Sequence, residues 1–116
     1  MSGCQVVFEP MDEDGVRVAV EGELAGSSAY TLDSELRRVE ATRPARLLLD
    51  LSALAFIDSA GLARLLAAHR RAQREGRRLI VVEGTGAVRR LLALTALNHQ
   101  LELFSDAGAA AAAAHA

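Results

Sequence analysis

Val16, Val18 and Val20 alternate with Arg17, Ala19 and Glu21, the period-two pattern of a half-buried strand. A shorter apolar run, residues 5–8, precedes it and ends at Pro10. Between the two lies the polar segment 11–15 with its Asp14-Gly15 hairpin signal, so the chain is expected to open with a β-hairpin. The period then lengthens. After a loop over 22–28, Ala29, Leu32, Leu36 and Val39 recur at three-to-four spacing, with Asp33, Glu35, Arg37 and Arg38 between them. This predicts a helix with Ser28 as its N-cap, ended by Thr42-Arg43-Pro44. Residues 47–51 are apolar on both faces, as a strand covered on both sides requires.

The segment Phe56-Ile57-Asp58-Ser59-Ala60-Gly61-Leu62 follows, with Phe56 and Ile57 read as a loop leading into a turn. The longest helical pattern runs from about 59 to 75, with Leu62, Leu65, Leu66 and Ala72 as its apolar stripe, Arg64, Arg70, Arg71 and Arg74 on the other side, and Gly76 as its stop. Residues 79–82 read as a buried strand, and about 87–96 as a helix with Val88, Leu91, Leu92 and Thr95 facing in. Residues 101–104 form a last short strand. Ser105 or Asp106 can cap a final helix built almost wholly of alanine. The order is ββαβαβαβα in one domain over 1–116. Strands separated by helices pair in parallel through right-handed crossovers, and the hairpin adds antiparallel pairing, so the sheet is mixed. The alanine-rich tail, 109–116, buries little area per residue and is expected to be weakly anchored.

Composition narrows the function. The chain has 116 residues, no Trp, one Tyr and three Phe, too few aromatics for a base-stacking platform. The net charge of −2 argues against a nucleic-acid partner, and all 13 basic residues are arginine. One cysteine, Cys4, excludes an intrachain disulfide. No leader pattern and no apolar run of spanning length is present, so a cytoplasmic protein without membrane insertion is expected.

The strand-to-helix turn at Ser59 is the most suggestive chemistry. Amide groups at a helix N-terminus lack internal partners and favour negative charge. Asp58 or Ser59 can serve simply as an N-cap, and Gly61 lets the first turn approach its neighbours. Apolar Phe56 and Ile57 beside that polar turn fit an interaction surface equally well. A hydrolytic Ser–His pair fails on spacing: Ser59 and His69 lie about 15 Å apart along one helix, and His99 lies on another segment. Gly84-Thr85-Gly86 sits between a strand and a helix like a phosphate-cradling turn, but Arg89 stands where the third glycine belongs and no Walker lysine exists. Three scattered histidines offer no metal spacing. Arg70-Arg71 and Arg89-Arg90 read as solvated helix faces, or as contacts for an acidic partner.

Four segments together, in order and nearly spanning the chain, resemble STAS domains of the anti-sigma factor antagonist type: Val20-Glu21-Gly22-Glu23-Leu24, Leu48-Leu49-Asp50-Leu51-Ser52, Phe56-Ile57-Asp58-Ser59-Ala60-Gly61-Leu62, and Val88-Arg89-Arg90-Leu91-Leu92 with Leu94-Thr95. The resemblance implies an α/β fold with a mixed sheet and helices mainly on one side. It implies a non-enzymatic binding module without cofactor, whose partner is an anti-sigma factor that is itself a serine kinase of the ATP-binding, histidine-kinase-like class. Unphosphorylated antagonist binds the kinase and frees a sigma factor; phosphorylation on Ser59 abolishes binding, and a phosphoserine phosphatase resets the cycle. The implied partner surface comprises Glu23, Leu24, Ala25, Ser27, Ser28, Phe56, Ile57, Asp58, Ser59, Ala60, Gly61 and Leu62. Ala25 stands where the family commonly has Asp, which removes an acidic residue from that surface. Ala60 stands where Ser or Thr is frequent, which leaves Ser59 as the sole hydroxyl of the motif. Ala96 replaces the usual glycine after Thr95. Two alternatives stay open: a STAS subunit without phosphate turnover, as in lipid-transport accessories or stress-signalling scaffolds, and a small nucleotide-binding protein using the turn at 84–86.

Overall fold

Five strands form one sheet in the order β1-β2-β3-β4-β5, β1 (Cys4–Asp12) pairing antiparallel with β2 (Gly15–Leu24) and the rest parallel: β3 (Arg46–Ile57), β4 (Arg78–Val82) and β5 (Glu102–Phe104). The helices are α1 (Ser27–Glu40), α2 (Ser59–Glu75), α3 (Ala87–Leu94) and α4 (Ala107–Ala114), with a short 3-10 turn at Leu97–His99. This is a computed structural model, and it describes residues 3–84, 86–95 and 97–114. The order ββαβαβαβα is the one the periodicities predict, and α2 has the predicted bounds.

The hairpin differs in detail. β1 continues through Pro10 to Asp12, which an outer strand tolerates because its free edge needs no amide there. The turn is Glu13-Asp14, with the Asp14 amide donating to Asp12 Oδ1 at 2.9 Å, and Gly15 already belongs to β2.

The leucine run of β3 is buried on both sides because each side meets a different layer. Leu47, Leu49 and Leu51 join Val18, Val20, Leu32, Leu36 and Leu65 beneath α1, α2 and α3. Leu48 joins Ile80 and Val82 on the opposite face, where α4 seats Ala110 and Ala114 against them. Arg46 and Arg78 donate to the carbonyls of Ala114 and Ala113 at the end of α4. Three helices thus cover one face of the sheet and the alanine helix covers part of the other. On that second face Asp50 is buried, its carboxylate accepting from Arg17 Nη2 at 2.6 Å, from the Ser52 amide at 2.9 Å and from Ser52 Oγ at 2.6 Å.

Three polar residues have roles that helical periodicity does not reveal. Arg71, expected in solvent, has only 6% of its side chain exposed. It makes a bidentate pair with Glu40 (2.7 and 3.1 Å) and a third bond to Asp33 at 3.1 Å, tying α2 to α1. Ser28 is not the N-cap of α1; Gly26 is, without a side-chain cap. Ser28 Oγ instead accepts from the Ala25 amide at 2.9 Å and lies 2.8 Å from the carbonyls of Glu23 and Ala25, folding the loop before the helix. Thr95, expected to face inward, is exposed; its hydroxyl turns back to the Leu91 and Leu92 carbonyls, at 3.0 and 3.1 Å. The predicted end of α3 at Ala96 falls outside the described residues, as do Thr85 and the last two residues of the predicted final helix.

Candidate functional site

β2 and β3 are parallel and end together, with Leu24 opposite Ile57. Their following segments, Ala25-Gly26 and Asp58-Ser59, therefore leave the sheet side by side, at the carboxyl ends of the strands where α/β sheets bring functional loops together. Phe56 and Ile57, expected in a loop, are the last two residues of β3: pairing with Glu23 and Leu24 keeps them extended.

Asp58 joins the two segments. Its amide donates to the Leu24 carbonyl at 3.2 Å. Its Oδ1 accepts from the Gly61 amide at 2.9 Å, capping α2, and its Oδ2 accepts from the Gly26 amide at 3.2 Å. Both carboxylate oxygens are thus held by backbone amides. Gly61 makes the approach possible, since a Cβ there would lie 2.6 Å from both the Leu24 carbonyl and Ile57 Cγ1.

Ser59 is the first residue of α2, is exposed, and its hydroxyl has no hydrogen-bond partner among the described residues. No acidic residue lies in the first helical turn after Asp58. The amides of that turn and the helix dipole face an added anion favourably.

The twelve residues expected at the partner surface do come together, but in two layers. Ser27, Phe56 and Ser59 are exposed, and Glu23, Ala25, Asp58, Ala60 and Leu62 are half-buried. Leu24, Ser28, Ile57 and Gly61 are buried beneath them.

Sequence reading missed the α3 side of this edge. Phe56 (47% exposed) and Leu94 (76%) line a groove of about 180 Å³ with Ile57, Leu91 and Arg90. Leu94 lies off the inward stripe of its helix, beside Arg90, and that misplaced leucine is the signal that could have revealed the groove. On the α1 side, exposed Tyr30 packs over the Arg64 guanidinium, 5.3 Å from ring centroid to Cζ.

Gly84 has a packing role. Gly84 has φ 68°, and a Cβ would lie 2.8 Å from Ser52 Cα, so the backbone passes too close to β3 for a side chain. Among the described residues no cluster of three or more His, Cys, Asp or Glu could hold a metal, and no helix is long and apolar enough to cross a membrane.

Comparison with known proteins agrees with this architecture. A crystal structure of an anti-sigma factor antagonist from Mycobacterium paratuberculosis is 29% identical, covering 98% of this chain and 96% of that one, with a TM-score of 0.89. The anti-sigma factor antagonist SpoIIAA in its unphosphorylated form superposes at 0.74 with 17% identity, over 90% of this chain and 92% of that one. The phosphorylated form of SpoIIAA, a Bacillus cell fate determinant, superposes at 0.69 with 16% identity, over 90% and 96%. These last two likenesses are of fold. The STAS domain family model matches residues 10–110, and the chain belongs to the STAS domain family.

Proposed function

We propose that this protein is an anti-sigma factor antagonist switched by phosphorylation of Ser59. The unphosphorylated form binds an anti-sigma factor that is also an ATP-dependent serine kinase, and this releases a sigma factor in the cytoplasm. The kinase transfers the γ-phosphoryl group of ATP to Ser59 Oγ; ADP leaves, the hydroxyl proton is lost, and the complex separates. A phosphoserine phosphatase restores the hydroxyl. The likeness to the mycobacterial antagonist over nearly the whole of both chains supports this reading.

One observation carries it: Ser59 is an exposed, unpartnered hydroxyl on a helix N-terminus, beside an exposed apolar groove. Phosphoserine bears a charge of about −1.5 to −2 at pH 7. The free domain tolerates it, because first-turn amides and the dipole favour an anion by roughly 0.3–1 kcal/mol. A docked interface does not, because the charge must be desolvated beside the Asp58 carboxylate. A hundredfold loss of affinity takes only about 2.7 kcal/mol. The fold stays almost unchanged while the interface is lost.

The test compares Ser59→Ala and Ser59→Asp by titration against the cognate kinase. Ser59→Ala should bind and resist inactivation by ATP, and Ser59→Asp should bind poorly. Equal affinity refutes the switch. Amide spectra of the phosphorylated domain should change near residues 56–62 alone; shifts spread across the sheet refute switching without refolding.

A further inference from the structure

The outer face of α2 begins at Ser59. At 3.6 residues per turn, Ala63, Arg70 and Arg74 lie within about 60° of Ser59 around the helix axis. All three are exposed, and neither arginine has an ion-pair partner among the described residues. This contrasts with Arg71, one position along, which is fully engaged. The only carboxylate of α2, Glu75, is bound by Arg77 at 2.8 Å. Arg74 also acts electrostatically on Glu75, so the stripe is cationic on balance. Ala63 is small and exposed there, and Leu66, about 20° from Ser59 around the axis, is half-buried against the core, so another backbone can approach. At 1.5 Å per residue, Arg70 and Arg74 stand about 16 and 22 Å from Ser59.

We propose that this stripe is a docking surface for an acidic segment of the partner kinase, placed about 16–22 Å from the site of phosphoryl transfer by the rise of α2. The inference rests on the proposed function and extends the partner surface beyond the motif. A protein partner fits better than a membrane, because the exposed residues of the stripe are alanine and arginine, while the nearby Leu62 and Leu66 are half-buried against the core and insertion into lipid needs exposed large apolar side chains. Both arginines lie farther from Ser59 than the screening length of about 8 Å at physiological salt. They act on the kinase equally in both phosphorylation states: the stripe governs encounter, and Ser59 governs retention.

The experiment uses the full chain and the purified anti-sigma serine kinases of the source genome, each assayed with ATP for phosphorylation of Ser59. Arg70→Glu/Arg74→Glu should raise KM on the order of tenfold, leave kcat unchanged, slow association and flatten its salt dependence. Arg70→Lys/Arg74→Lys should behave as wild type, and Arg70→Gln/Arg74→Gln should fall between. Glutamine variants guard against a fold effect, and matching melting curves verify it. Wild-type KM and salt dependence in the glutamate variant overturn this inference alone. Failure of every kinase to phosphorylate or bind the wild-type chain overturns the proposed function and the inference with it. Binding of wild type, but not the glutamate variant, to vesicles containing anionic phospholipid, with kinase kinetics unaltered, assigns the stripe to membranes and overturns it too.

Discussion

Replacing Arg71 with leucine tests the polar joint between α1 and α2. The guanidinium is 6% exposed and faces two carboxylates of α1 that are nearly as buried, Asp33 at 10% and Glu40 at 8%. Asp33 keeps other cations, with Arg37 Nε at 3.0 Å and Arg64 Nη1 at 3.9 Å. Glu40 has no other ion-pair partner among the described residues, so the variant leaves a buried carboxylate uncompensated. Removing one member of a buried pair costs about 3–5 kcal/mol, whereas replacing both by apolar groups is often neutral. In urea denaturation at pH 7, Arg71→Leu should therefore lose about 3–5 kcal/mol, and Arg71→Leu/Glu40→Leu should recover most of it. An unpaired buried carboxylate favours its protonated form. The folded single variant then binds a proton more tightly than the unfolded chain, so its deficit should shrink from pH 7 to pH 5. A loss below about 1 kcal/mol, or an equal loss at both pH values, refutes the argument, because it means water or a neighbouring arginine neutralises Glu40.

Gly61→Ala gains helix propensity of about 1 kcal/mol but places a methyl group 2.6 Å from the Leu24 carbonyl. A net loss of stability in thermal melts is expected, with faster amide exchange at Gly26 and Asp58; a stabilised variant refutes the close packing. Asp58→Ala should cost about 0.5–2 kcal/mol as a lost N-cap and free the Gly26 amide to exchange, whereas Asp58→Asn keeps an acceptor for Gly61 and should cost less. Unchanged protection of Gly26 in Asp58→Ala refutes the bridge. Asp33 and Asp50 govern acid stability. Burial alone pushes both carboxyls upward, but bonds from Arg37 and Arg71 to Asp33, and from Ser52 and Arg17 to Asp50, outweigh it and hold both below the usual aspartate value. Their contribution is present above the unfolded value of about 3.9 and is lost as pH falls through the folded values, so urea midpoints should be flat from pH 7 to about 5 and fall below about 4. A midpoint rising on acidification refutes the assignment.

Elements that bury one face were legible because burial imposes a period. The valines of β2, the stripes of α1 and α2, and the two-sided leucines of β3 each gave a correct element. Ends set by pairing were not. Phe56 and Ile57 carry no local mark of strand against loop; they stay extended because β2 continues to Leu24 beside them. Arg71 was misplaced for a related reason. Its partners Asp33 and Glu40 lie on another helix, and only docking of α1 on α2 reveals that an arginine at that position is enclosed. At the site, Ser59, Asp58 and Gly61 were legible as a cap motif. The groove was not, since it takes Phe56 from β3 and Leu94 from α3, elements separated by α2 and β4.

Under the proposed function, these contacts let a single phosphate act at the surface and leave the core alone. Ser59 stands on a base fixed from three directions. Asp58 binds Gly26 and Gly61, the Gly61 backbone lies against Leu24 and Ile57, and Arg71 locks α2 to α1 further along. None of these contacts uses the Ser59 hydroxyl, so modifying it breaks no bond of the fold. The same rigidity would set what the proposed switch can report. With the loop before α1 bound to the start of α2 through Asp58, the proposed charge on Ser59 would act chiefly on whatever is docked against it. A mutation that loosened the base, at Asp58 or Gly61, would turn part of that effect into local rearrangement. It should weaken discrimination between the two phosphorylation states more than it weakens binding of the unphosphorylated form.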